Sequence, residues 1–330
     1  MPPFRRRQRM ETGAAVLVFC EVAAMNFPGR TRRLIPFAAI GVLIAVAYHP
    51  LPRNGPVWDD NALIFENPHI ASMREVPTLF TNDLWTASAQ QEPSDFYRPL
   101  TMVTYLVNRA IGGNSPASYH IGNLLLHLAV CWLLFLVAKR SAGERGHGGA
   151  FIAAALFALA PIDSEPVIWL SGRFDLLTAL CALAALLVHR ESGTRATIAE
   201  PLIFIGGMLC KENAVVVPIL LAWDDLVRRR LFTRASLFRY GAIAVLFAGY
   251  VLCRRAVGVS TAAAASGADP GELFRAYWFN AATFLRLLAA PFALDPFHPY
   301  QPLGWTVALA WMSACLLPIS MLWLFLCRHP

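Results

Sequence analysis

The chain has 330 residues, 57% of them hydrophobic and 15% charged, with a net charge of +7 and a mean hydropathy of +0.49. A water-soluble domain carries about 25% charged residues, so this balance excludes an ordinary soluble enzyme and points to the bilayer. Nor is the positive charge a nucleic-acid signal, because the arginines gather beside apolar runs, where they set orientation and meet anionic headgroups.

In chain order, residues 1–33 form a basic, cytoplasmic N-terminus with Arg5, Arg6, Arg7, Arg9, Arg30, Arg32 and Arg33. The first membrane helix is expected over 34–50, "LIPFAAIGVLIAVAYHP". No small-residue cleavage site follows it, so it reads as a retained anchor. The positive-inside rule then places the long polar stretch 51–98 outside. An amphipathic helix over 99–112 should lie at the outer interface, so that 51–112 forms one extracytoplasmic loop with interfacial helices.

Further spans are expected at 118–138, 149–163, 174–189, 198–210, 213–226, 238–253, 276–294 and 304–327, and residues 328–330 form a tail. The fold class expected is therefore all-α, a polytopic helix bundle of about nine spans within residues 34–327. Basic residues are almost all arginine, Lys139 and Lys211 excepted. With the abundant alanine, that bias suggests a bacterial inner membrane as the location. The seven cysteines form no CxxC and lie mostly in apolar runs, so they read as buried spectators rather than metal ligands or disulfides.

The tripeptide Trp-Asp-Asp occurs twice, at residues 58–60 and 223–225. The expected topology puts Asp59 and Asp60 outside. It puts Asp224 and Asp225 inside, at a helix end balanced by Arg228, Arg229 and Arg230, so the two pairs cannot share a site. Ionisable groups near bilayer depth are costly and default to function. Besides Asp59 and Asp60, most of those here map to the outer side: Arg98 in "FYRPL", Asp163 and Glu165 in "PIDSE", Arg173 and Asp175 in "SGRFD", and Lys211 and Glu212 in "CKEN". His120, Asn123 and His127 fall at i, i+3 and i+7, one polar stripe on an apolar helix. Such a stripe faces either a neighbouring helix or a ligand cavity, since lipid satisfies no hydrogen bonds. Arginine forks and a lysine ammonium suit a phosphate group. A carboxylate suits the proton of an attacking hydroxyl.

These residues carry a resemblance. The segments "VWDDNALIFENPHI", "LFTNDLW", "YRPLTMVTYLVNRAIGG", "PASYHIGNLLLH", "FALAPIDSEPVIWLSGRFDLL" and "CKENAVVVP" occur in the order found in the transmembrane and tetratricopeptide-repeat-containing O-mannosyltransferases. These are members of the C-class (GT-C) of membrane glycosyltransferases. The resemblance covers roughly residues 55–225. It implies a GT-C-type bundle that takes a sugar, mannose first among them, from a polyprenyl-phosphate donor and passes it to a hydroxyl of a protein or glycan on the extracytoplasmic face.

By that resemblance Asp59 or Asp60 is the catalytic base, with Asp60 preferred, and Arg98, Arg173 and Lys211 hold the donor phosphate. Tyr97, His120, Asn123, His127, Glu165, Asp175 and Glu212 would line the cavity. No cofactor is required on this reading and no metal site is assigned; the alternative is a divalent cation shared by the two carboxylates. Two departures are expected: Ala160 stands where the family has a histidine before Pro161, and no tetratricopeptide repeats occur in residues 1–330. A transporter or flippase of lipid-linked substrates and a non-catalytic membrane scaffold are the competing readings.

Overall fold

The computed structural model describes residues 31–259, apart from 144, 145 and 192, and a few positions between 271 and 286. The N-terminus up to residue 30, the tail at 328–330 and the spans expected at 276–294 and 304–327 lie outside the described residues. Within them every regular element is helical. The longer helices are α1 (Thr31–Ala47), α3 (Pro99–Gly112), α4 (Pro116–Ala142), α5 (His147–Ala158), α7 (Arg173–His189), α8 (Thr194–Cys210), α9 (Val217–Val227) and α10 (Arg234–Ala256). Two short ones, α2 (Val76–Thr81) and α6 (Ser164–Ile168), sit in the connections.

Local chemistry sets the ends of these elements. Helices α3 and α4 each open with a proline in the first turn, where its missing N–H and fixed φ cost nothing. Each stops at a glycine with positive φ, Gly113 and Gly143. Lys139 and Arg140 occupy the last turn of α4, where cations oppose the negative end of the helix dipole. The apolar positions of α3 repeat at helical spacing, so Met102, Tyr105 and Leu106 are buried while Ile111 is 84% exposed. The expected amphipathic helix is thus present, with its expected limits.

Three helical stretches are long and apolar enough to cross a bilayer: Pro116–Ala142, Leu170–His189 and Arg234–Ala256. His147–Ala158 and Pro161–Ile168, bent by 52°, make a fourth if they act as one broken span. The described residues therefore hold three or four candidate spans, and nine is not reached. Two of the nine expected spans lie outside the described residues, and the shortfall among the other seven is one of length. Helix α8 has 17 residues and α9 has 11, about 26 and 17 Å at 1.5 Å per residue, against ~30 Å of hydrocarbon.

Helix α1 packs on α4 and α5, α4 on α5 and α7, α7 on α8, and α8 on α3 and α10. The first loop is not a loose excursion. Its Leu63, Ile64, Ile70, Leu79 and Leu84 share one apolar core with Met102 and Tyr105 of α3, Tyr119 of α4, and Leu170 and Phe174 at the start of α7. Asp83 stitches it locally, accepting from the Trp85 and Thr86 amides and from the Thr86 and Ser94 hydroxyls. The loop is thereby fixed over the end of the bundle where α7 begins.

Candidate active site

The first Trp-Asp-Asp stretch is a tight turn whose two carboxylates have different work. Trp58 has φ +47°, a left-handed conformation that costs a bulky residue of the order of 1–2 kcal/mol. Asp60 holds that turn closed. It is 1% exposed, its Oδ2 accepts from the Val57 amide at 2.9 Å, and its Oδ1 accepts from the Ser171 amide at 2.9 Å and hydroxyl at 2.7 Å. Trp58 packs edge-on to Trp169, ring centroids 5.5 Å apart, so the turn grips the Trp169–Ser171 segment twice.

Asp59 is half-buried, and its carboxylate has no hydrogen-bond partner among the described residues. Burial, and secondarily the neighbouring Asp60, raise its pKa above the ordinary aspartate value. Of the adjacent acids, Asp60 is committed to structure and Asp59 is presented.

The polar stripe on α4 faces the start of α7, and Arg173 lies against it. Arg173 is 2% exposed. Its Nε donates to Asn123 Oδ1 at 2.7 Å, its Nη2 to Asn108 Oδ1 at 2.9 Å and the Tyr119 carbonyl at 3.1 Å, and its Nη1 to the Thr104 carbonyl at 3.3 Å. The guanidinium also lies over the Tyr105 ring, 4.8 Å from its centroid. Gly122 makes room for this cage: a Cβ there would meet Asn108 Oδ1 at 2.4 Å and Arg173 Nη2 at 2.8 Å.

Arg173 was expected on the donor phosphate. It is enclosed by α3 and α4, with its donors engaged by four acceptors. Asn123 and His127 are likewise spent on packing. The Asn123 amide donates to the Trp169 and Leu170 carbonyls, and His127 Nε2 donates to the Ala158 carbonyl at the end of α5, one of the orphan acceptors every helix terminus leaves. His120 differs. It is 1% exposed, and the polar groups nearest its ring are the Asn54 backbone and the Asp60 carboxylate.

Next to this, the remaining charged candidates form one cluster. Arg98 caps the start of α3 and donates through Nε and Nη2 to Glu212 Oε2, at 3.1 and 2.9 Å. Its guanidinium is sandwiched between Phe96 and Phe174, 4.6 Å from each centroid. Lys211, at the end of α8, donates to Asp175 Oδ1 at 2.6 Å. The Arg98 and Lys211 side chains keep 11% and 21% of their surface exposed. Each also retains donors with no partner among the described residues.

Tyr97 was expected to line a cavity. It is buried instead, its hydroxyl on the Phe80 carbonyl at 2.9 Å and its amide on Glu212 Oε1 at 3.3 Å. It fastens the first loop to α8. Glu165 stands exposed on α6, beside the turn in which Gly172 packs directly on Pro166.

The start of α7 links the acids to the cations: Asp60 bonds Ser171, and Lys211 bonds Asp175, four residues further along the chain. Tyr105, fully buried, marks their meeting point. Burial raises its phenol above the ordinary value, and Arg173, Asp60, Arg98 and Asp175 all act on it electrostatically. Sequence reasoning missed Ser171, Asn108 and Tyr105. Each lies inside a segment singled out above, but nothing in an uncharged side chain marks it as the partner of a buried ion.

Comparison with curated proteins gives a consistent set. Over 306 residues the chain is 28% identical to the Protein O-mannosyl-transferase Tmtc1 of Drosophila melanogaster, covering 83% of this chain and 35% of that protein. The chain is related to the protein O-mannosyl-transferases. It is 31% identical over 224 residues to Tmtc3 of Drosophila melanogaster, and 32% identical over 186 residues to TMTC3 of Homo sapiens. Those matches cover 59% and 54% of this chain but 24% and 20% of the relatives. The chain thus spans about a third or less of the length of these O-mannosyl-transferases. No family model and no solved structure matches it.

Proposed function

We propose that the chain is a membrane glycosyltransferase that moves a sugar, mannose first among them, from a polyprenyl-phosphate carrier to a hydroxyl of a protein or glycan on the extracytoplasmic face. The observation that carries this reading is the division of labour between the two acids. Asp60 is consumed by three hydrogen bonds that fix the turn, and Asp59 is left half-buried with no hydrogen-bond partner for its carboxylate among the described residues. The names of the relatives support the reaction class.

In this mechanism the acceptor oxygen attacks the anomeric carbon as Asp59 takes the hydroxyl proton. The bond from that carbon to the phosphate oxygen breaks with inversion, and polyprenyl phosphate leaves with the electron pair. Arg98 and Lys211 receive the growing negative charge on the phosphate through the donors they do not spend on Glu212 and Asp175. Asp60, Ser171 and Arg173 act by position, holding the turn over the start of α7. Because its pKa is raised, Asp59 is a better base than an ordinary aspartate once ionised. The reading requires no metal ion.

The test is an assay of membranes with labelled polyprenyl-phosphate mannose, comparing the wild type with Asp59→Asn. Transfer should fall to background while the variant accumulates normally. Undiminished transfer by Asp59→Asn would overturn the assignment.

A further inference from the structure

The second Trp-Asp-Asp stretch is more than a balanced helix end. At the far end of α7, some 24 Å from Arg173 by helix rise, His189 is 6% exposed. Its Nδ1 lies 2.9 Å from Glu200 Oε2 and its Nε2 lies 3.1 Å from Asp225 Oδ1. Arg239 also donates to Glu200 Oε2, at 3.1 Å, and the Ser236 and Tyr240 hydroxyls donate to Asp225 Oδ2 at 2.8 and 2.9 Å. Asp224 accepts from Arg190 on one oxygen at 3.0 Å and from Arg228 on the other at 2.8 Å.

Beside this network lies a cavity of about 230 Å³, lined by Arg190, Arg228, Arg230, Thr197 and Thr233 as well as by the two aspartates. Arg239 and Glu191 line it too, so four arginines face three acids, and the acids are largely engaged already: Asp224 by Arg190 and Arg228, Asp225 by Ser236 and Tyr240, and Glu191 by Arg140. Arg228 spends only its Nε, Arg230 has no side-chain partner among the described residues, and Arg190 Nε is buried with none. A buried donor without an acceptor, as Arg190 Nε is, is costly, and a fork of guanidinium donors matches a tetrahedral oxyanion better than any neutral ligand.

We propose that this cavity binds a phosphate group, carried either by an anionic lipid headgroup or by a free phosphate. Its distance from Asp59 makes it a second site, independent of the donor phosphate discussed above. The two aspartates in the lining set the lower limit of affinity. Arg228 and Arg230 are both exposed at the surface and so are open to an incoming anion.

The experiment uses the purified full chain in phosphatidylcholine nanodiscs and needs no transferase assay. Inorganic phosphate is titrated against chloride at matched ionic strength, and in a separate arm phosphatidylglycerol replaces part of the phosphatidylcholine. Thermal stability is read in both arms. A saturable rise with inorganic phosphate identifies a free-phosphate site; a rise with phosphatidylglycerol alone identifies a headgroup site. In either case Arg228→Gln with Arg230→Gln should weaken the response about tenfold, equivalent to about 1.4 kcal/mol. Arg230→Gln alone, at an exposed side chain, should give part of that loss and guards against misfolding of the double variant. Absence of a saturable response in both arms, or a response both variants leave unchanged, overturns the proposal.

Discussion

Two neighbouring aspartates with the same chemistry differ in what surrounds them, and that difference makes them separable by experiment. Asp59→Asn removes the proposed base and should lower transfer about 10²–10⁴-fold. Burial favours the neutral form of Asp59, so whatever stability its raised pKa contributes is present below the ordinary aspartate value and is lost as pH rises through the folded value. At neutral pH the Asn variant should therefore unfold at the same temperature as the wild type or higher, which differential scanning fluorimetry checks. Asp60→Asn should do the opposite first. It weakens charged hydrogen bonds to Val57 and Ser171, at a cost of the order of 1–3 kcal/mol, and the melting temperature should drop along with activity. The pH–rate profile is a further check. Its acid limb should lie above the pH expected of an ordinary carboxylate, because a protonated Asp59 accepts no proton. A profile flat through the acid range would remove Asp59 from the base role.

At the scale of single elements, the cage around Arg173 depends on one missing methyl group. Gly122→Ala would place a Cβ against Asn108 and Arg173, both held by other hydrogen bonds and unable to retreat. The expected loss is about 1–3 kcal/mol, read as a lower melting temperature; an unchanged value would mean the cage is loose. Much at this scale is legible in the sequence. The limits of α3 follow from Pro99, Gly113 and the spacing of Met102, Tyr105 and Leu106, and α4 follows from its continuous apolar run. The His120–Asn123–His127 stripe is legible as turned inward, but the groups that Asn123 and His127 bond, the Arg173 guanidinium and the carbonyls of Ala158, Trp169 and Leu170, lie far off in sequence, and nothing local identifies them. Arg173 looked like a phosphate ligand because charge is visible in a sequence while enclosure is not. Glu200, in the middle of "IAEPLIF", was the overlooked signal: a carboxylate inside an apolar run needs a partner, and it has two in His189 and Arg239. Helices α8 and α9 read as full spans because hydropathy registers composition rather than length; the break between them at Lys211 and Glu212 is legible in the sequence, but the bonds of these residues to Asp175 and Arg98 are not.

For the whole molecule, the two Trp-Asp-Asp stretches sit at opposite ends of α7, one tied to Ser171 and the other to His189. If that helix crosses the bilayer, residues near the two stretches must answer differently to a reagent that cannot pass the membrane. In a cysteine-free background, Gly55→Cys should react with an impermeant maleimide on intact cells. Phe232→Cys, at a position 83% exposed between α9 and α10, should react only after permeabilisation. Labelling of both from one side would contradict the proposed orientation and its placement of Asp59.

The shared core of the first loop also decides where a probe is tolerated. Leu63, Ile64, Ile70 and Leu79 are buried against three different helices, so an epitope or fluorophore inserted among them would unseat the turn that carries Asp59. The exposed corner at Gln90–Glu92, where Gln91 already adopts a left-handed backbone, bears none of that packing. An insertion there should leave expression and transfer intact, and it offers a handle on this end of the protein that leaves the turn carrying Asp59 undisturbed.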